Sequence, residues 1–183
     1  MVTVWPHDDI AHAWWVTPGA VLAGEYPTNW DSTSAKLELL LDAGIRTFVD
    51  LTTPDDRLRP YEPMLLELAS ERGFEVQHAA FPIPDLGVLD VEGYTPIIDF
   101  MAAEVDAGRP VYVHCWGGIG RTGTVIGCWL VRDGRTADEA VAEIARLRAG
   151  TRKQHRRSPE TEDQIRTIQL WGALPSEQAS GNG

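Results

Sequence analysis

The segment from Val111 to Thr124 constrains the fold of this chain most, because an apolar run passes directly into a glycine-rich turn and then into a helical pattern. The apolar run predicts a buried strand over Val111–His114. Gly117, Gly118 and Gly120 let successive backbone N–H groups curve around an anion, and N–H groups at a helix N-terminus have no intrahelical partners. The segment therefore predicts a strand, a phosphate-binding loop and a helix in succession.

Short β-rich runs alternate with helical patterns along the chain, which is typical of a layered α/β domain. Strands are predicted at Val21–Gly24, Thr47–Leu51, Phe74–His78 and Val111–His114. They predict an α/β fold with a central, mostly parallel twisted sheet of about four to five strands, flanked by helices. We expect a single domain over residues 1–174 and a flexible C-terminal tail over residues 175–183, where Ser, Gln, Gly and Asn are frequent.

Apolar residues at helical spacing predict six helices, several of which end at a glycine. The first five cover residues 34–43, 63–73, 95–107, 125–130 and 140–147. The last helix is expected to begin with Ser158 as its N-cap and Pro159 as its first residue. Its inward-facing residues are predicted to be Ile165, Ile168 and Trp171.

Charge and composition exclude several classes of partner. The formal net charge of −11 disfavours nucleic acid or an anionic membrane as the main partner, because such binding depends on basic charge. No apolar run is long enough to span a membrane and no signal-peptide pattern is present, so we expect a cytoplasmic protein; we also expect a monomer. Two cysteines are too few for a disulfide framework. Four aromatic residues are predicted to pack against the sheet rather than to bind a ligand: Trp5, Trp14, Trp15 and Trp30.

Cys115 and Arg121 carry the chemistry that the loop predicts. Cys115 lies at the base of the predicted cradle, where a helix N-terminus and an arginine favour the thiolate form. Arg121 offers a planar, two-pronged donor to two phosphate oxygens. Further phosphate contacts are expected from Trp116, Gly117, Gly118, Ile119 and Gly120. The Thr122 hydroxyl is close enough in sequence to hydrogen-bond the thiolate, and His114 is expected to orient the loop rather than act as a base.

His114, Cys115, Arg121 and Thr122 together resemble the signature H-C-x5-R-[ST] of the protein tyrosine and dual-specificity phosphatases. The resemblance implies the cysteine phosphatase fold. It also implies that Cys115 attacks the phosphorus and forms a phosphocysteine intermediate.

A general acid is also implied by this resemblance, because the family takes an aspartate from a loop upstream of the cysteine. Asp85 lies in such a loop, at a spacing typical of the compact dual-specificity group, and Asp90 is a rival. Asp85 would protonate the leaving oxygen and then activate water. Gln164 lies near the place where classical members carry a water-orienting glutamine, and a solvated helix glutamine is the alternative interpretation.

Several other interpretations compete with catalysis. Gly118, Gly120 and Gly123 match a dinucleotide-binding fingerprint, but the acidic residue that should follow a second strand, Glu143, falls in a helical pattern. The five histidines are scattered, so we expect no metal and no cofactor. A non-catalytic phosphate-binding module is the alternative from another class. Cys128 lies too far along the helix from the loop for a disulfide and is expected as a buried core thiol.

The sequence indicates less about the substrate than about the chemistry. The compact architecture resembles the dual-specificity and kinase-associated phosphatases, which implies a phosphorylated protein or peptide. Trp116 would favour phosphotyrosine if it stacked on the phenyl ring, whereas packing within the loop is the other interpretation. The loop has no lysine, which disfavours phosphoinositides. A basic cluster is either a solvated face or a recruiting site for multiply phosphorylated substrates, so inositol polyphosphate stays an alternative. Its members are Arg146, Arg148, Arg152, Lys153, Arg156 and Arg157.

Overall fold

Five strands form one sheet in the computed structural model, which describes residues 4–28 and 32–174. The strands are β1 (Ala13–Thr17), β2 (Val21–Gly24), β3 (Thr47–Asp50), β4 (Gln77–Ala80) and β5 (Val111–His114). Their spatial order is β1-β2-β5-β3-β4, and every neighbouring pair is parallel except the antiparallel hairpin of β1 and β2. The predicted α/β fold with a mostly parallel sheet is therefore confirmed.

Six α-helices of the described residues cover the two faces of the sheet. They are α1 (Thr33–Asp42), α2 (Glu62–Glu71), α3 (Thr95–Asp106), α4 (Gly120–Arg132), α5 (Ala137–Leu147) and α6 (Glu162–Gly172). Short 3₁₀ turns span Pro54–Asp56 and Val91–Tyr94. Within the described ranges, no helix is long and apolar enough to cross a membrane.

Side-chain alternation along the strands divides the core into two layers. In β5, Val111 and Val113 face a cluster built from α3, α4, α5 and α6, whereas Tyr112 faces a second cluster with α1 and α2. Both faces are buried, which explains why β5 is an uninterrupted apolar run in the sequence. This central strand carries the phosphate-loop signature directly at its C-terminal end.

Two strands differ from the sequence-based prediction. β1 was not predicted, although Trp14 and Trp15 do pack in the core as expected. The strand expected at Phe74–His78 begins later, because β4 is a partly exposed edge strand without an apolar pattern. Phe74 instead closes the end of α2 and stacks under the guanidinium of Arg46, 3.8 Å from its ring centre. Trp30 and the predicted tail lie outside the described residues.

The last helix begins later than predicted. Thr161 is the N-cap of α6 and accepts a hydrogen bond from the backbone N–H of Gln164. Ser158 donates instead to the carbonyl of Ile119, 2.7 Å away, and a cis peptide bond joins it to Pro159. Ser158 and Pro159 therefore do not start a helix, and Ser158 instead connects the segment before α6 to the phosphate loop. Of the three inward-facing residues predicted, Ile168 is fully buried, and Ile165 and Trp171 are half-buried.

Candidate active site

The strand ends meet at one edge of the sheet and place the loop there. Gly24, Asp50 and His114 are register partners at the C-terminal ends of β2, β3 and β5. Cys115 follows directly and lines a cavity of about 460 Å³ together with the residues that continue the loop. Its side chain is buried at the base of the loop, with 3% of its surface exposed. This edge is where parallel α/β sheets bind ligands.

The loop offers backbone donors to an anion. Among the described residues, the N–H groups from Trp116 to Ile119 donate to no protein acceptor, and α4 begins immediately afterwards at Gly120. Free N–H groups at a helix N-terminus form an anion site. The residues predicted to bind phosphate therefore lie together around Cys115.

Gly118 is required by the loop's contact with β2. Its φ of +68° is unfavourable for other residues, and a Cβ would lie 2.4 Å from the carbonyl carbon of Gly24. The N–H of Tyr26 also donates to the carbonyl of Trp116 at 2.9 Å. The end of β2 thus fixes the shape of the loop.

His114 lies behind the loop and is fully buried. Its Nε2 shares a hydrogen bond of 2.7 Å with the hydroxyl of Tyr61, a residue that sequence reasoning did not single out. Burial lowers the pKa of His114 to about 4, so the ring is neutral at pH 7. A buried neutral ring held by Tyr61 supports the predicted orienting role.

Arg121 is held by a carboxylate that the sequence-based prediction missed. Both terminal nitrogens of Arg121 donate to Asp56, at 2.8 and 3.0 Å, and both side chains are almost fully buried. Nη1 also donates to the carbonyl of Ile83 at 3.1 Å. Burial favours the protonated form of Asp56, but hydrogen bonds from Arg121 and Thr53 outweigh it and hold the pKa of Asp56 below its ordinary value.

The guanidinium of Arg121 has a second edge, which faces Asp85. Asp56 accepts from the two terminal nitrogens, Nη1 and Nη2. An arginine has five N–H donors, and those on Nε and Nη2 form its second edge. The carboxylate of Asp85 lies 3.0 Å from Nη2. A phosphate that uses this edge therefore replaces the contact between Asp85 and Nη2, while Asp56 still accepts hydrogen bonds from Arg121.

Asp85 and Asp90 are distinguished by position. Asp85 lies in a tight turn in which the N–H of Gly87 donates to the carbonyl of Pro84, and its half-exposed side chain lines the cavity with Cys115. Asp90 is exposed, precedes the 3₁₀ turn Val91–Tyr94 and does not line the cavity. The geometry therefore favours Asp85.

Gln164 is not a solvated helix residue, because it is fully buried against the loop. Its side-chain oxygen accepts from the N–H groups of Glu160 and Thr161, and its nitrogen is 3.4 Å from the carbonyl of Gly87. The amide thus joins the start of α6 to the turn that carries Asp85. The side-chain oxygen of Gln164 already accepts two backbone hydrogen bonds. At the site, Gln164 therefore links the start of α6 to the Asp85 turn.

Two further predicted residues have clear positions. The hydroxyl of Thr122 is buried and has no hydrogen-bond partner among the described residues, so the predicted bond to Cys115 is not formed here.

Cys128 is fully buried in the core and unpaired, and burial raises its pKa strongly. The expectation of a core thiol at Cys128 is confirmed.

A buried carboxylate organises the basic side of the cavity. Glu25 accepts from Lys36 at 2.7 Å, from Arg152 at 2.6 Å and from Lys153 at 2.8 Å. Lys153 also donates to the carbonyl of Gly117 at 3.0 Å. Part of the basic cluster therefore reaches the phosphate loop, which the sequence could not indicate because Glu25 lies far away in the chain.

We expect Asp56→Asn to weaken both folding and phosphate binding. The substitution leaves the buried Arg121 without an anionic partner, which should lower the free energy of unfolding by about 2 kcal/mol. A less firmly placed guanidinium should lower kcat/KM for an aryl phosphate about tenfold. Asp55→Asn, on the same 3₁₀ turn, is the matched control. Urea unfolding and steady-state kinetics measure both effects, and equal behaviour of the two variants would contradict the role of Asp56.

The pairing of Glu25 predicts acid-sensitive stability. Burial raises the pKa of Glu25, but hydrogen bonds from Lys153 and Lys36 outweigh it and lower the pKa to about 2. Because the folded pKa lies below the ordinary value of 4.5, this stabilisation is complete above pH 4.5 and is lost as the pH falls toward 2. Glu25→Gln should therefore have a lower Tm than the unaltered protein at pH 7, and the difference should shrink from pH 4.5 to pH 3. A difference that stays constant over this range would refute the linkage.

Known proteins are similar to this chain in sequence and in fold. A family model described as "PTP-SAK: Swiss Army Knife protein, DSP-PTPase phosphatase domain" matches residues 11–169. Cyclin-dependent kinase inhibitor 3 of Rattus norvegicus is 31% identical over 94 residues, covering 51% of this chain and 43% of that protein. The chain thus spans less than half the length of this curated relative.

Solved structures are similar over most of the chain. Tk-PTP in its active form has 28% identity and a TM-score of 0.67, covering 92% of this chain and 98% of that one. Kinase associated phosphatase with its catalytic-site cysteine substituted by serine has 20% identity and a TM-score of 0.67, covering 86% and 92%.

Fold and site together define a protein tyrosine phosphatase superfamily domain of the compact dual-specificity type. The chain belongs to the PTP-SAK family of DSP-PTPase phosphatase domains. The family resemblance and the cysteine phosphatase fold inferred from the sequence are thereby confirmed.

Proposed function

We propose that the chain hydrolyses phosphate esters on proteins, phosphotyrosine first and also phosphoserine and phosphothreonine, through a phosphocysteine intermediate on Cys115. One observation carries this proposal: Cys115 lies at the base of a loop of free N–H donors, with Arg121 and Asp85 adjacent in the same cavity. A site that only binds phosphate needs the donors but has no use for a buried thiol and a neighbouring carboxylic acid.

The first step transfers the phosphoryl group to sulfur. The loop N–H groups and the Nε/Nη2 edge of Arg121 bind the non-bridging oxygens, and the Cys115 thiolate attacks the phosphorus in line. The S–P bond forms as the P–O bond to the substrate breaks, and Asp85 donates its proton to the departing oxygen.

The second step restores the enzyme. The Asp85 carboxylate removes a proton from water, the water oxygen attacks the phosphorus, and the S–P bond breaks to release inorganic phosphate. The buried hydroxyl of Thr122 has no partner among the described residues and is free to donate to the departing sulfur. No external oxidant, reductant or metal is needed for either step to balance.

Trp116 supports the preference for phosphotyrosine. Its side chain is 58% exposed at the cavity, so packing within the loop does not account for it. Stacking on a substrate ring contributes about 1 kcal/mol beyond burial. We therefore expect Trp116→Ala to reduce kcat/KM for a phosphotyrosine peptide about fivefold more than for the matched phosphothreonine peptide. Equal losses of kcat/KM on the two peptides would contradict a stacking role for Trp116.

The test is a substrate panel assayed with chelator present. An aryl phosphate, matched phosphotyrosine, phosphothreonine and phosphoserine peptides, and a phosphoinositide are compared by phosphate release, and acid-quenched enzyme is examined by mass spectrometry for phosphate on Cys115. Turnover of the peptides with labelled Cys115 supports the proposal. Turnover of the phosphoinositide alone would assign a lipid substrate instead. Phosphate binding without turnover of any substrate would indicate a non-catalytic module.

A further inference from the structure

The basic residues at the cavity exceed what one phosphate needs. Five basic side chains line the cavity against three carboxylates, in a chain with a formal net charge of −11. These basic residues are Lys36, Arg121, Arg152, Lys153 and Arg156. Arg121 is committed to the phosphate that Cys115 attacks. The positive charge that is left over lies beside the phosphate loop and has no role in the two chemical steps.

The basic cluster is divided by the fold. Arg152 and Arg156 line the cavity with side chains that are 38% and 51% exposed. Arg146 and Arg157, from the same stretch of sequence, pair with Glu143 and Glu162 and do not line the cavity. A merely solvated face would not separate neighbouring arginines in this way.

The segment that carries these arginines has a fixed shape. Arg148 is buried, with 2% of its surface exposed, and donates to the carbonyls of Lys153 and Arg156 at 2.9 and 2.7 Å. Asp8 accepts from the backbone N–H of Arg152, and Gln154 accepts from the N–H of Gly150. Because the buried Arg148 binds two backbone carbonyls of this segment, the segment has a defined conformation.

Glu25 and Lys153 connect that surface to the catalytic loop. Lys153 bridges Glu25 and the carbonyl of Gly117, so the segment is joined to a residue two positions after Cys115. Lys36 is buried and also pairs with Glu25. Arg152 lines the cavity while its Nη2 donates to Glu25 and its Nη1 to the carbonyl of Asp9. Arg156 lies in the segment before α6, lines the cavity and, among the described residues, pairs through its side chain with Glu160. The accessible donors are therefore the two arginines.

We infer that Arg152 and Arg156 form a second phosphate-binding subsite, so that the preferred substrate carries a second phosphate close to the one that Cys115 removes. This inference rests on the proposed function and names its substrate class. Paired guanidinium groups suit a phosphate because each presents a planar pair of donors. Two sources supply this chemistry: a peptide phosphorylated at two neighbouring residues, and an inositol polyphosphate.

The test measures binding in the Cys115→Ser background, so that it does not depend on turnover. Kd values are compared for a singly and a doubly phosphorylated peptide of the same sequence, and for inositol monophosphate and hexakisphosphate. We expect about tenfold tighter binding of the multiply phosphorylated ligand in at least one arm, since charge-assisted bonds to partly exposed arginines contribute roughly 1 to 2 kcal/mol. The arm with the preference identifies the source.

Two matched double variants locate the subsite. Arg152→Gln with Arg156→Gln should remove the preference, whereas Arg146→Gln with Arg157→Gln removes the same charge outside the cavity and should keep it. Arg156→Gln alone removes a side chain that, among the described residues, pairs with Glu160. This variant should reduce the preference about threefold and guards against a folding defect in the double variant. No preference in either arm, or one that survives in the Arg152 and Arg156 variant, overturns the inference. Absence of turnover in the unaltered chain would overturn the proposed function instead.

Discussion

Cys115→Ser should lower kcat for an aryl phosphate by about four orders of magnitude or more, as loss of a nucleophile does in other covalent enzymes. A serine hydroxyl at the base of the loop is a far weaker nucleophile than a thiolate, because it is not ionised at neutral pH. The loop N–H groups and Arg121 are unchanged, so phosphate should still bind with a similar Kd. Stopped assays with high enzyme concentration and calorimetric titration of inorganic phosphate measure the two quantities.

The chain contains its own control for this experiment. Cys128 is buried in the core, away from the cavity, and Cys128→Ala should leave kcat within about threefold at some cost in stability. Substantial activity in Cys115→Ser would refute covalent catalysis by this residue. Loss of activity in Cys128→Ala, in a folded protein, would mean that the assay reports the general state of the core.

Asp85→Asn is expected to give the second largest effect, a fall of about 10² to 10⁴ in kcat on a phosphotyrosine peptide. Asparagine keeps the size of the side chain but cannot donate the proton that the leaving oxygen requires. The loss should be smaller on p-nitrophenyl phosphate, because its leaving group is stable without a proton. Phosphate binding should survive, since Asp85 is not one of the loop donors.

Asp90→Asn is the matched control, because Asp90 is exposed and does not line the cavity. It should retain nearly full kcat on both substrates. If Asp90→Asn lost activity and Asp85→Asn kept it, the general acid would have to be reassigned. An equal loss on the peptide and on p-nitrophenyl phosphate in Asp85→Asn would instead indicate that Asp85 positions Arg121, which lies 3.0 Å away.

Much of the site could be predicted because its parts are neighbours in the sequence. The order of strand, loop and helix places Cys115, the loop N–H groups and Arg121 together by local geometry alone. Asp85 required the family resemblance, and the structure then brought it beside Arg121. The ion pair of Arg121 was harder to predict, because Asp56 looks like an ordinary turn residue in the sequence. Only the folded structure places the turn that follows β3 next to the guanidinium.

The two mispredicted boundaries have different causes. β4 lies at an edge with half-exposed residues, so it lacks the apolar pattern by which strands are recognised. Ser158 and Pro159 carry a helix-start pattern, but the hydrogen bond from Ser158 to Ile119 competes successfully with capping. At β4 the edge position removes the apolar pattern, whereas at Ser158 a tertiary contact outweighs a local preference.

The sequence alone determined the fold class, the central strand and the phosphate loop, because hydrophobic periodicity, glycines and the spacing of Cys115 and Arg121 act over short stretches of chain. Tertiary structure alone decided which carboxylates hold the cations: Asp56 at Arg121, and Glu25 at Lys36, Arg152 and Lys153. It also separated Arg156, at the cavity, from Arg157, outside it. Ion pairs form between side chains that folding brings within a few ångströms, and no pattern along the chain records that distance.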